Sequence, residues 1–238
     1  MTPPVASPAS PTGGSGIGSG RRRELLIRIV SAAILGPMAL AAAWHGFPWF
    51  DLVVALAAVL AVAEWKRMVG GWTHPAWLAV GLLYILLAMV AFLSLRHDAA
   101  HGQRTILWLL AVVWAIDTFA YVFGRRFGGP KLAPLVSPSK TWSGLGGGML
   151  AAALASAGFG WWFGTSIVGL AIDGALVALL SQAGDLAESA AKRRFGVKDS
   201  GRIIPGHGGI LDRIDGLMGA ALFVAAVRLV EKGAFPWP

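Results

Sequence analysis

Apolar stretches of near-spanning length recur along this chain, at about 25–44, 49–66, 75–95, 104–123, 144–163, 166–186 and 210–230. A helix needs about 20 apolar residues to cross a bilayer core, and each stretch approaches that length. The runs are continuous rather than alternating, which argues against a β-barrel. The expected fold is therefore all-α, a polytopic transmembrane helical bundle with seven spans by direct count. The second span is short enough to tilt or be re-entrant. Composition agrees: 56% of residues are hydrophobic and only 13% charged, against roughly 25% charged in soluble domains.

Residues 1–20, rich in Pro, Ser and Gly and without a charged side chain, read as a disordered tail ahead of a membrane-embedded domain over 21–238. A cleaved signal peptide fits poorly, because Arg21–Arg23 comes late and the apolar run after it is long enough to remain as a span. The chain has no cysteine, which excludes disulfides and thiolate metal sites. Its formal net charge is +8. In this setting the excess fits loops facing anionic lipid and phosphate ligands, and no nucleic-acid partner is expected. Of the 20 lysines and arginines, only Arg96, Arg104, Arg228 and Lys232 fall on one side of the seven-span topology. The positive-inside bias puts all the others, with the N-terminus and both long basic loops, in the cytoplasm.

There are twelve acidic residues. Glu24, Asp51, Asp98 and Glu231 lie at span ends or in loops and read as solvated. Glu64 precedes Lys66 and Arg67, so a local ion pair is as good a reading as a function. Asp173 reads as a buried polar contact. Asp117, Asp185, Glu188, Asp212 and Asp215 differ, since each sits near a cytoplasmic span end beside a basic loop. Ionised groups at bilayer depth cost roughly 2.5–3.5 kcal/mol each on insertion scales, and a bound cation or anionic substrate would offset that. Asp185 and Glu188 are three apart, as are Asp212 and Asp215, which puts each pair on one helix face. Hard divalent cations take such oxygen ligands together with substrate phosphates. Structural ion pairs with neighbouring arginines are the alternative, and two pairs flanking a basic, glycine-rich loop favour the metal.

In IPGHGGILD, Gly206, Gly208 and Gly209 let backbone N–H groups approach a phosphate, and the turn leads into the positive end of the last span. His207 could donate to a phosphate or act as an acid, although a lone loop histidine is more often structural. Lys192, Arg193, Arg194 and Lys198 add charge. A second basic loop, 124–143, offers Ser137, Ser139, Lys140 and Thr141 ahead of the fifth span, where Thr141 or Ser143 could instead cap the helix. A site between the two loops would suit a nucleoside triphosphate meeting an anionic lipid.

These residues resemble the phosphatidate cytidylyltransferases, also called CDP-diacylglycerol synthases. That family's signature is matched by Ser189, Lys192, Arg193, Lys198, Asp199, Pro205, His207, Gly208, Gly209, Asp212, Arg213 and Asp215 at fixed gaps. Ala191 stands where a larger aliphatic is usual. Trp114–Tyr121 with Gly124-Arg125, Ser137–Gly144 and Gly184–Ser189 are similar to further family blocks, with Ser143 where many relatives carry glutamate. The resemblance covers about 21–235 and raises the expected span number to between seven and nine.

What the resemblance implies is CTP plus phosphatidate giving CDP-diacylglycerol and pyrophosphate, at the cytoplasmic face of the inner membrane. Asp185, Asp212 and Asp215 would hold one or two cations, at least one of them Mg2+. Lys140, Lys192, Arg193 and Lys198 would clamp phosphates, Asp117 would be a further polar anchor, and a homodimer is expected from the resemblance alone. Rival readings are a CTP-dependent enzyme acting on a polyprenol or ether lipid, and an ion-coupled transporter. The carboxylates cluster at one face without a visible repeat, which disfavours the transporter.

Overall fold

Every one of the seven apolar stretches is a helix in the computed structural model, which describes residues 16–204, 208–231 and 235–237. They are α1 (Gly16–His45), α2 (Trp49–Met68), α3 (Pro75–Arg96), α4 (Gly102–Phe127), α5 (Trp142–Phe163), α6 (Ile167–Arg194) and α7 (Leu211–Val230). Among the described residues, α3, α4 and α6 are long and apolar enough to cross a membrane by length and composition. Residues 16–20, read from sequence as the end of a tail, are backbone of α1. Residues 1–15 lie outside the described residues.

Two boundaries differ from the apolar runs for a physical reason. Helix α6 does not stop near residue 186 but continues to Arg194 through the segment DLAESAAKRR. Hydrophobicity ends there, yet Ala, Leu, Glu, Lys and Arg are strong helix formers, so the backbone carries on past the apolar part. Asp185, Glu188, Ser189 and Lys192 consequently share one rigid helix. The second basic loop is also more ordered than a loop. Residues 124–127 finish α4, and β1 (Lys131–Ala133) pairs antiparallel with β2 (Ser137–Thr141), with Lys131 opposite Thr141 and Ala133 opposite Ser137.

Contacts fix the helices in up-and-down order. At the end opposite the hairpin, Arg96 Nε donates to the Ala43 carbonyl at 2.9 Å, and Gln103 donates to the Trp44 carbonyl at 3.0 Å. The His97 ring meets Asp51 at 3.0 Å. Trp108 and Trp237 bury their rings together, their indole N–H groups donating to Ser156 and Thr105 at 2.9 and 2.8 Å. Asp98, expected to be solvated, pairs with Arg228 of α7 and accepts from the His101 amide at 2.5 Å.

Small residues bring backbones together where side chains would hold them apart. A Cβ on Gly148 of α5 would lie 2.9 Å from the Ile116 carbonyl of α4. Between α6 and α7 the approach is reciprocal. A Cβ on Gly184 would lie 2.8 Å from the Asp215 carbonyl, and one on Gly219 would lie 2.9 Å from the Leu180 carbonyl. This crossing sits directly beside Asp185 and Asp215, so it sets their separation.

Two outcomes follow from these contacts. Gly184→Leu forces α6 from α7, and a melt in detergent should show a loss of about 2 kcal/mol or more from overpacking; an unchanged melting temperature would show that the seam is not tight. Burial alone would raise the Asp98 carboxyl, but the His101 N–H and the Arg228 guanidinium outweigh it and hold the group below the ordinary aspartate value. The resulting stabilisation is present above the ordinary carboxylate range and disappears as pH falls through the lowered value. The melting-temperature gap between wild type and Asp98→Asn should therefore be positive at pH 7 and close in acid. A gap that ignores pH would contradict this.

Candidate functional site

At the hairpin end, helices α4, α6 and α7 each deliver carboxylates to one region. Asp117 projects from α4, Asp185 and Glu188 from α6, and Asp212 and Asp215 from α7. Asp117 is close enough to feel the charges of Asp185, Lys140 and Arg213. Asp215 lies beside both Asp185 and Glu188. Lys140 Nζ, carried on β2, donates to Asp185 Oδ2 at 2.5 Å, and Ser189 Oγ donates to Asp185 Oδ1 at 3.2 Å. Gln182 reaches Asp117 at 3.5 Å.

The two i,i+3 pairs divide their labour. Lys192 is only 8% exposed, and its ammonium donates to Glu188 Oε2 and to Asp212 Oδ1, each at 2.6 Å. Asp212 also accepts from the Ser200 amide, the Ser200 hydroxyl and the Gly209 amide, at 3.0, 3.0 and 2.9 Å to Oδ2. Both of its oxygens are thus engaged by the chain itself. Asp215 instead faces the other carboxylates, taking one bond of 2.7 Å from the Gly216 amide. Glu188 Oε1 is buried with no hydrogen-bond partner among the described residues. A buried, unpartnered carboxylate oxygen next to a second carboxylate is costly unless a proton or a cation joins them.

A polar cleft of about 530 Å³ opens onto this cluster. Its walls include Asp117, Arg125, Lys131, Ser139, Lys140 and Asp185. Arg125 donates to the Tyr121 hydroxyl at 2.7 Å, while Lys131 has no partner among the described residues. Thr141 lines the cleft too, but its hydroxyl accepts from the Gly144 amide at 3.1 Å and caps α5, as one sequence reading allowed. Ser143 donates to the Gly128 carbonyl. Ser137 starts β2 opposite Ala133 and is not part of the cleft wall, where Ser139 stands instead.

The remaining sequence candidates have definite places. Arg193 donates to the Val136 and Val197 carbonyls at 3.2 and 3.3 Å, tying α6 to the hairpin turn. Lys198 is exposed. Gly208 has φ +86°, a left-handed backbone that favours glycine, and its carbonyl accepts from the Ile204 amide at 2.9 Å. A Cβ on Gly209 would overlap the Ser200 hydroxyl. His207 and Gly206 lie outside the described residues. No three His, Asp or Glu side chains among the described residues form a ready metal cage. The expected trio of Asp185, Asp212 and Asp215 thus comprises a facing pair and a third residue already committed to Lys192 and the glycine turn.

Glu64 was the residue least legible from sequence. Rather than pairing with Lys66 or Arg67, it is fully buried. Its carboxylate accepts from the Ser200 hydroxyl at 3.1 Å and from the Ile210 and Leu211 amides at 3.1 and 3.0 Å. It satisfies the orphan N–H groups at the start of α7, where negative charge is also favoured by the helix dipole. A Cβ on Gly201 would overlap it, so the loop is moulded around this carboxylate.

Glu64→Ala leaves the Ile210 and Leu211 amides without their acceptor, while the Ser200 hydroxyl keeps Asp212. The expected loss is about 3 kcal/mol in a detergent melt, with faster hydrogen exchange at the Ile210 and Leu211 amides. Unchanged exchange there would refute the anchoring role.

Comparison with known proteins gives the family. The profile of the Cytidylyltransferase family matches residues 72–230, which hold all five clustered carboxylates. The phosphatidate cytidylyltransferase of Brucella abortus biovar 1 (strain 9-941) is 47% identical over 177 residues, 71% of this chain and 61% of that protein. Those of Rickettsia felis and Rickettsia conorii are 35% and 32% identical, covering 83% and 88% of this chain and 89% and 93% of the relatives. The chain spans 61% of the length of the Brucella relatives it matches.

Proposed function

The chain belongs to the cytidylyltransferase family, and from that premise we propose that it is a phosphatidate cytidylyltransferase, making CDP-diacylglycerol and pyrophosphate from CTP and phosphatidate. One observation carries the reading. Carboxylates from three helices and Lys140 from the hairpin converge on a polar cleft at one end of an apolar bundle. Such a site can receive a water-soluble polyanion from one side and a lipid headgroup from the other. The lysine and arginine bias puts that end in the cytoplasm, and the membrane is the cytoplasmic one.

A non-bridging phosphatidate oxygen attacks the α-phosphorus of CTP. The bond from that phosphorus to the bridging oxygen of the β-phosphate breaks, and pyrophosphate leaves. Little proton transfer is needed, because the attacking oxygen is already ionised near neutral pH. Positioning and charge compensation therefore dominate. Lys131 and Arg125 on the cleft wall receive CTP phosphates, and Lys140 does so while oriented by Asp185. Lys192 is a positioning residue, since its ammonium fixes Glu188 and Asp212 relative to each other.

The donor set fits a divalent cation. Asp117, Asp185, Glu188, Asp212 and Asp215 outnumber the ammonium groups set among them, Lys140 and Lys192. Asp185 and Asp215, with the unpartnered Glu188 oxygen near them, would hold Mg2+, which commonly takes one or two carboxylates and completes its shell with substrate phosphates. When bound it would neutralise phosphate oxygens and the charge growing on pyrophosphate.

Transfer of labelled CMP from CTP to phosphatidate by purified protein in detergent tests the reading. Chelation should abolish transfer and Mg2+ should restore it. Asp185→Asn and Asp215→Asn should each lower the rate by roughly 10²–10³-fold, as removal of a key charge-stabilising group does, while the proteins still insert and melt cooperatively. Retention of most Mg2+-dependent transfer in both variants would sink the metal assignment, and absence of any transfer by the wild type would sink the activity.

A further inference from the structure

An apolar cavity of about 410 Å³, separate from the polar cleft, lies between α1, α2, α3, α4 and α7. Its walls include Gly36 and Ala39 of α1, Ala57 and Ala58 of α2, Leu110 of α4 and Leu217 of α7. Arg213 is the single charged side chain among the residues that line it. That guanidinium is exposed and makes no hydrogen bond or ion pair among the described residues. It is also near enough to Asp117, on the wall of the polar cleft, to act on that carboxylate electrostatically. One free cation therefore stands where an apolar groove meets the reaction cleft.

We propose that this groove seats an acyl chain of the lipid substrate and that Arg213 takes the lipid's phosphate, presenting it to the polar cleft. The assignment of the lipid rests on the cytidylyltransferase reading. The apolar lining suits a hydrocarbon chain. The groove's walls come from five helices, with Arg213 as the single charged group among them. A flexible chain of methylenes can follow the groove. The charge selects the class of lipid, since a guanidinium matches phosphate geometry and binds it bidentately. Lipid tails are as apolar in the bilayer as in the groove, so seating the tail gains little from desolvation. The groove's contribution is orientation, holding the phosphate in one place.

Small residues line the space, so larger ones placed there test it. A Cβ on Gly36 would meet nothing within 4 Å. Gly36→Trp puts bulk into the groove from α1, and Ala58→Phe from α2. Purified full-length protein is irradiated with phosphatidate carrying a diazirine midway along one acyl chain, and labelled peptides are identified by mass spectrometry. Labelling is expected on the groove stretches of α2 and α7, reduced at least fivefold by Gly36→Trp and by Ala58→Phe. A diazirine phosphatidylcholine should label there several-fold less, and Arg213→Gln should erase the preference for phosphatidate. In CMP-transfer assays, Gly36→Trp should raise KM for long-chain phosphatidate about tenfold and leave KM for CTP unchanged. Labelling confined to the outer helix faces, labelling indifferent to both groove-filling variants, or a cross-linked second copy at the groove overturns the proposal. Equal labelling by both lipids overturns the role of Arg213. Groove labelling without any CMP transfer keeps the lipid site and removes the cytidylyltransferase reading, so the two failures are distinct.

Discussion

A lysine ammonium, buried between Glu188 and Asp212, ties α6 to the start of α7. Breaking such a pair by removing one partner strands a charge in a poor solvent and costs roughly 3–5 kcal/mol. The same Asp212 holds the Ser200 and Gly209 amides, and Ser200 in turn donates to Glu64 of α2. One chain of charge-assisted contacts therefore runs from α6 through α7 and the loop to α2. It fixes the entry of α7, and with it the side from which Asp215 meets Asp185.

Most of the fold was legible because apolar helices announce themselves by length: seven apolar runs are seven helices among the described residues. What could not be read was structure made without hydrophobicity. The last turns of α6 are polar and formed by propensity, and the hairpin that carries Lys140 is too short for an alternating pattern to register. The carboxylate cluster was legible from spacing, yet spacing could not say that Asp212 and Asp215 would turn to different partners. Both leave α7 within one turn, but Asp212 is claimed by the lysine and loop amides, and Asp215 by the carboxylates of α6. Glu64 was out of reach, because its acceptor role depends on residues more than a hundred positions away, with only Lys66 and Arg67 in view nearby.

The two cavities differ sharply in polarity. The one beside the hairpin is lined by lysines, an arginine and hydroxyls, and the one between α1, α2 and α7 by aliphatic groups. Charged groups inside an apolar bundle are tolerated where they compensate one another, as Lys192 does between Glu188 and Asp212 and Lys140 does against Asp185.

At the Gly184–Gly219 crossing, the carbonyls of Asp215 and Leu180 rest against the opposite backbone with no side chain between them. Two rods in that kind of contact can neither slide nor splay without breaking it, so α6 and α7 move as one body. The hairpin bearing Lys140 is joined to this body by side chains alone, Lys140 on Asp185 and Arg193 on the Val136 carbonyl, so it can shift where the two helices cannot.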